Sequence, residues 1–146
     1  MPERRPGAGL RRLVAERARH RCEYCLSPAR IATQSFTIEH IVPWSAGGPT
    51  TAANLALACP GCNAHKMTRT TATDPLTQTE VPLFHPRKLR WGDHFAWSAD
   101  GLRLVGLTGT GRATVEQLQL NRSGLVALRE MLILASQHPP TTQKAK

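Results

Sequence analysis

Aromatic residues are scarce in this 146-residue chain, with one Tyr, three Phe and three Trp making up 5% of it. So few rings argue against binding that depends on stacking base after base, and leave electrostatics as the main attraction to any polyanion. Acidic residues are also few: ten Asp and Glu stand against nineteen Lys and Arg, for a formal charge of +9. That balance favours a polyanionic partner over an acidic small molecule, although a merely solvated basic surface has the same composition. No apolar stretch approaches the roughly 20 residues needed to span a bilayer. The arginine-rich start lacks the apolar segment of a secretory signal. These absences predict a soluble, cytoplasmic chain with no membrane partner, whose four cysteines are kept reduced.

The length suits one compact module with arms. Leu10, Leu13, Val14 and Ala18 recur at helical spacing between Gly9 and His20 and predict a first amphipathic helix. Phe36 to Ile41 alternates and is β-prone, and Leu55 to Cys59 is a second short apolar run, so two strands are expected. Between them Ser45-Ala46-Gly47-Gly48-Pro49 is turn chemistry within an open loop. Asn63 to Thr70 has no Gly or Pro and predicts a short helix, completing a β-β-α order.

Ala72 to Arg90 holds three prolines and reads as a wrapping segment with little regular structure. Trp91 to Trp97 and Leu102 to Leu107 flank Ser98-Ala99-Asp100-Gly101, a hairpin signal in which Gly101 can supply a positive φ. Ala113 to Leu120 fits neither period. A last helix is expected from Gly124 to about Gln137, capped by Ser123, striped by Leu125, Leu128, Leu132 and Ala135, and stopped by Pro139-Pro140. No internal repeat is present.

The cysteines fall in two close pairs, Cys22-Glu23-Tyr24-Cys25 and Cys59-Pro60-Gly61-Cys62. Each C-x-x-C turn can aim two thiolates at one ion, and together they make a four-sulfur site for structural Zn²⁺. The alternative is a pair of redox motifs, but no thioredoxin-like context surrounds either. Four sulfur ligands close the coordination shell, so such a zinc cannot activate water, and chemistry must lie in the long insertion between the pairs.

That insertion carries Glu39-His40-Ile41-Val42-Pro43, then Gly47-Gly48 and Asn54-Leu55, followed by the second knuckle and Asn63-Ala64-His65-Lys66. In this order the segment from Arg21 to Lys66 resembles the HNH endonuclease family in its zinc-stapled form. Val81 to Pro86 and Gly109 to Ala113 resemble the C-terminal extension of some bacterial HNH proteins. The resemblance implies an α+β chain with a ββα-metal core, also called a His-Me finger. Residues 1–71 would be the nuclease core with its N-terminal helix and zinc knot. Residues 72–138 would be a hairpin-plus-helix extension packed on it, and 139–146 a disordered tail.

The resemblance also implies roles. His40 would be the general base that activates water, and Glu39 a ligand of a catalytic Mg²⁺ or Mn²⁺. Asn54 would tie the loop and orient His40. Asn63 would be the second metal ligand, with His65 a rival on another face of the helix. Residue chemistry agrees, since imidazole titrates near neutrality and a carboxylate is a hard oxygen ligand. Neighbouring strand residues point to opposite faces, so Glu39 and His40 can share one site only if the strand end bends. Lys66 and Arg69, on the same predicted helix, could grip phosphates. Met67 stands where glycine is frequent in the family.

The expected activity is hydrolysis of DNA phosphodiesters to 5′-phosphate and 3′-hydroxyl ends. The other class left open is a catalytically inactive zinc-stapled nucleic-acid-binding module. A monomer and a dimer are both admissible.

Overall fold

The computed structural model describes residues 4–141; the last five residues of the expected tail lie outside that range. Helices and short strands alternate, and each sheet is a two-stranded antiparallel hairpin. The chain forms two compact units. The first runs to Thr70 and takes in His85–Lys88; the second comprises Thr71–Phe84 and the chain from Leu89 onward.

In the first unit, α1 (Ala8–Arg17) leads to strand β1 (Thr37–His40), which pairs with β2 (Leu55–Ala58) from Thr37↔Ala58 to His40↔Leu55. Val14 of α1 is fully buried with Leu55 and Leu57, and Leu10, Ala18, Phe36 and Ile38 pack against them. The stripe thus runs at four-residue steps through 10, 14 and 18; Leu13, expected on it, is 46% exposed. Every residue of β2 is buried, which explains its unbroken apolar sequence.

The helix after the second knuckle departs from expectation. It is α2, Pro60–Lys66, and begins inside the C-x-x-C turn rather than at Asn63. Cys59 caps it by accepting from the Cys62 amide at 3.4 Å, and Pro60 fits the first helical position, where a missing N–H costs nothing. It ends at Met67, whose φ of 55° lies in the left-handed region that glycine adopts without strain. Arg69 therefore lies beyond the helix and does not share it with Lys66.

In the second unit, the proline-bearing segment is more regular than its composition suggests. Strands β3 (Thr71–Thr73) and β4 (Glu80–Pro82) pair antiparallel, with Pro82 at the outer end opposite Thr71, where it interrupts little. Trp91–His94 forms a helical turn, α3, so the expected hairpin is shorter: β5 (Phe95–Trp97) pairs with β6 (Leu104–Gly106), and Gly101 turns the chain at φ 76°. The ambiguous stretch is helical as far as Gln117, within α4 (Gly109–Gln117), which is capped by the Thr108 hydroxyl accepting from the Gly111 amide at 3.0 Å.

The last helix, α5, is Ser123–Leu134. Arg122 rather than Ser123 is its N-cap, without a side-chain cap bond, and the helix stops five residues before Pro139. Leu125 and Leu132 are buried as expected, but the interior place between them belongs to Arg129. Its guanidinium donates to the carbonyls of Leu102 and Leu120 and lies 5.1 Å from the centre of the Trp97 ring. Among the described residues no helix is long and apolar enough to cross a membrane.

Candidate functional site

The two knuckles converge. Cys22, Cys25, Cys59 and Cys62 are all buried, and their sulfurs lie within 4.8 Å of one another. Cys25 Sγ and Cys59 Sγ are 3.7 Å apart. A tetrahedron of zinc–sulfur bonds has sulfurs about 3.8 Å apart, so the cluster has the dimensions of a four-thiolate metal site and is too open for disulfides. Glu23 clips the first knuckle to β2: its amide donates to the Leu57 carbonyl at 2.9 Å, and its carboxylate accepts from the Leu57 amide at 2.9 Å. The other carboxylate oxygen pairs with Arg87, which arrives from the His85–Lys88 segment.

At the other end of the hairpin, His40 is the last residue of β1. Its Nε2 is 2.8 Å from the hydroxyl of Thr50, and its ring meets Trp44 edge-on at 6.0 Å. Thr50 in turn donates to the carbonyl of Arg4 at 3.0 Å. Partial burial and the positive charge of Arg4 hold the imidazole below the ordinary histidine range.

The loop from Ile41 to Asn54 is pinned from within. Asn54 is buried, accepts from the Val42 amide at 2.9 Å, and donates to the carbonyls of Val42 at 3.0 Å and Pro49 at 2.9 Å. One amide thus holds both the strand exit and the residue before Thr50. Gly48 makes the closeness possible, since a Cβ there would lie 1.8 Å from the Val42 carbonyl oxygen.

Glu39 belongs to a different cluster. The β1–β2 register is unbroken through His40, so the strand does not bend, and the two neighbours take the opposite faces that regular pleating dictates. Glu39 is 5% exposed; one oxygen accepts from the Tyr24 hydroxyl and the other lies 3.3 Å from Lys66 Nζ. Burial pushes its carboxyl above the usual range, opposed by Lys66 and then Tyr24.

Lys66 is not the solvated phosphate grip that its place after the knuckle suggested. It is 1% exposed and also donates to the Ile41 carbonyl at 3.0 Å. Its ammonium is committed inward, because a buried carboxylate needs a nearby cation. Asn63 lies one helical turn before Lys66 on the same side of α2, the side that meets β1, whereas His65 is on the exposed side.

The four cysteines named from sequence come together, whereas the contacts of Thr50 with His40 and of Tyr24 with Glu39 were not anticipated. Thr50 follows Gly-Gly-Pro, which marks a turn without marking a partner for His40. Tyr24 lies between two ligands and reads only as spacer.

Four buried cysteines that could hold a metal ion thus lie between a β-hairpin and a helix in a small domain of mixed helix and strand. Residues 22–69 match the family model described as HNH endonuclease. The matched segment includes all four cysteines of the cluster, so this part of the chain is similar to HNH domains of the four-cysteine form. The match covers about a third of the chain. No curated protein and no solved structure matches it.

Proposed function

We propose that this chain is a metal-dependent endonuclease that hydrolyses DNA phosphodiester bonds. The observation that carries the reading is His40 at the end of β1, beside a loop that Asn54 pins with three hydrogen bonds, inside the segment matched to the HNH family.

Zinc in the cysteine knot is structural, since four thiolates leave it no open position. The hydrolytic site uses His40 as general base. An imidazole held below its ordinary range is neutral at neutral pH and can accept a proton from water as the oxygen attacks phosphorus and the 3′ oxygen leaves. Asn54 holds the loop so that the ring keeps its direction, and Arg69, exposed beyond α2, is suited to contact a phosphate.

Glu39 and Asn63 would be the protein ligands in this reading, both offering hard oxygen donors suited to Mg²⁺ or Mn²⁺, although Glu39 takes the strand face opposite His40. As the structure stands Glu39 does not fit that role: one oxygen accepts from Tyr24 and the other pairs with buried Lys66 at 3.3 Å, whose positive charge would repel a divalent ion. Were Lys66 displaced, an ion held by Glu39 and Asn63 would supply positive charge for the phosphate and the leaving oxygen.

The test is nicking of supercoiled plasmid with and without added Mg²⁺ or Mn²⁺. The expected result is cleavage that requires the added ion and falls by about 10²–10⁴ in His40→Ala, the usual cost of losing a general base. DNA binding without ion-dependent cutting would replace this reading with a zinc-stapled binding module.

A further inference from the structure

We propose that the exposed side of α5 is a self-association surface, through which two copies of this chain pair antiparallel about a twofold axis level with Arg129. The inference goes beyond the nuclease reading and does not depend on it.

A helix that is apolar all round needs cover on every side. From Ser123 to Leu134 only Arg129 and Glu130 are charged, and Arg129 turns inward to the carbonyls of Leu102 and Leu120. Leu125 and Leu132 are buried, yet Gly124, Ala127, Met131 and Leu134 form a second stripe on the opposite side, with Met131 63% and Leu134 79% exposed. Packing among the described residues does not require the small end of this stripe, since a Cβ at Gly124 would meet no atom within 4 Å.

Charge decides what covers it. The first unit holds twelve Lys and Arg against four Asp and Glu, and the second seven against six, so the attraction for a polyanion lies almost wholly in the first. No exposed residue of α5 is a cation, so the stripe offers nothing to DNA phosphates or to anionic lipid headgroups. A near-neutral unit with an uncharged stripe can meet its own copy without the repulsion that two first units would feel.

The stripe also complements itself. In an antiparallel pair centred on position 129, Gly124 meets Leu134 of the second copy and Ala127 meets its Met131, so each small residue faces a large one, as a twofold contact allows. Glu130 lies at the edge of the stripe, in solvent. A patch of a few hundred Å² on each copy falls short of the roughly 1,200 Å² that a stable complex buries, so half-association is expected at roughly 100 μM. Because the two units are one chain, each dimer carries two first units.

The experiment is sedimentation equilibrium of the full-length, zinc-loaded chain over a range of roughly 10–500 μM, which brackets that affinity. Wild type should pass from one chain toward two. Ala127→Lys and Met131→Glu, both at exposed positions, should each stay monomeric, because each sets two unpaired charges into the contact. An equimolar mixture of the two variants should regain the wild-type dimer, since the lysine of one copy then faces the glutamate of the other. Far-UV circular dichroism checks that each variant keeps its helices. A wild type monomeric throughout, or a dimer that neither variant weakens, would overturn the proposal, and a mixture that did not recover would overturn the antiparallel register. A monomeric wild type that bound anionic lipid vesicles, with binding lost in Met131→Glu, would give the face to a membrane instead.

Discussion

The ammonium of Lys66 lies 3.3 Å from the carboxylate of Glu39, with both side chains almost wholly buried, so α2 is locked to β1 by an ion pair in the interior of the domain. Removing one partner of such a pair leaves an uncompensated charge and costs about 3–5 kcal/mol. Lys66→Met is therefore expected to lower unfolding stability by about that amount, read by denaturant titration of the zinc-loaded chain. The double variant Lys66→Met/Glu39→Gln should recover part of the loss, because it removes both charges. Equal stability of wild type and Lys66→Met would mean that the pair is exposed in solution.

The cysteine cluster predicts one zinc per chain, retained through purification and measured by elemental analysis. Cys59→Ser removes a sulfur ligand and the cap of α2 together, so it should lose both the ion and the helical signal of the first unit. Structural zinc contributes about 10–16 kcal/mol in small domains, far more than a domain of this size has in reserve. A Cys59→Ser protein that kept stoichiometric zinc and its fold would refute the four-sulfur site.

A second ion pair, between buried Asp74 and half-buried Arg112, gives a pH signature. Asp74 is 1% exposed and accepts from Arg112 through Nε at 3.0 Å and Nη2 at 2.8 Å, from the Leu76 amide and from the Thr77 hydroxyl. These donors, Arg112 foremost, hold its carboxyl well below the ordinary carboxylate range. A native pKa lower than the unfolded one means that the contribution is complete above the unfolded value and is lost as pH falls through the native one. Asp74→Asn should therefore be less stable than wild type at pH 7, and the difference should shrink as the solution is acidified. Denaturant midpoints across the acid range check this; a gap that stayed constant would assign the effect to packing.

How much of this was legible in sequence depends on the reach of each interaction. The knuckles and the two strands announce themselves locally, through cysteine spacing and apolar runs, and the Gly47-Gly48 turn marks the loop between them. Lys66 reads as a surface residue because its partner Glu39 lies on another element, and nothing near Lys66 shows that α2 turns it inward. Asp74 and Arg112 are 38 residues apart, beyond any local pattern. The α4 helix was obscured because Val115, Leu118 and Leu120 fit neither period, and its first turn holds the poor helix formers Gly109 and Gly111. Gly111 is there because a Cβ would lie 2.1 Å from the His94 carbonyl oxygen, a tertiary reason that no propensity contains. The separation of Glu39 from His40 follows from period-two pleating; what the sequence left open was whether Pro43 and the loop after it would bend the strand.

That separation makes the last prediction sharp. If His40 moves a proton and Glu39 binds the ion, variants at the two positions should respond differently to metal. Glu39→Gln keeps the size of the side chain and can still accept from Tyr24, but it removes the charge that attracts a divalent cation. Its nicking should be weak at low Mn²⁺ and rise as Mn²⁺ is raised, because mass action compensates for lost affinity. His40→Ala should stay down by about 10²–10⁴ at every metal concentration, since no ion restores the missing base. The measurement is the nicking rate across a Mn²⁺ titration, with zinc content and DNA affinity determined for each protein so that unfolding is not mistaken for lost chemistry. If Glu39→Gln proved as unresponsive as His40→Ala while remaining folded, Glu39 would have to act other than by metal affinity. If its metal dependence matched wild type, the buried carboxylate would be a structural partner of Lys66 and Tyr24, and the ion would be held elsewhere.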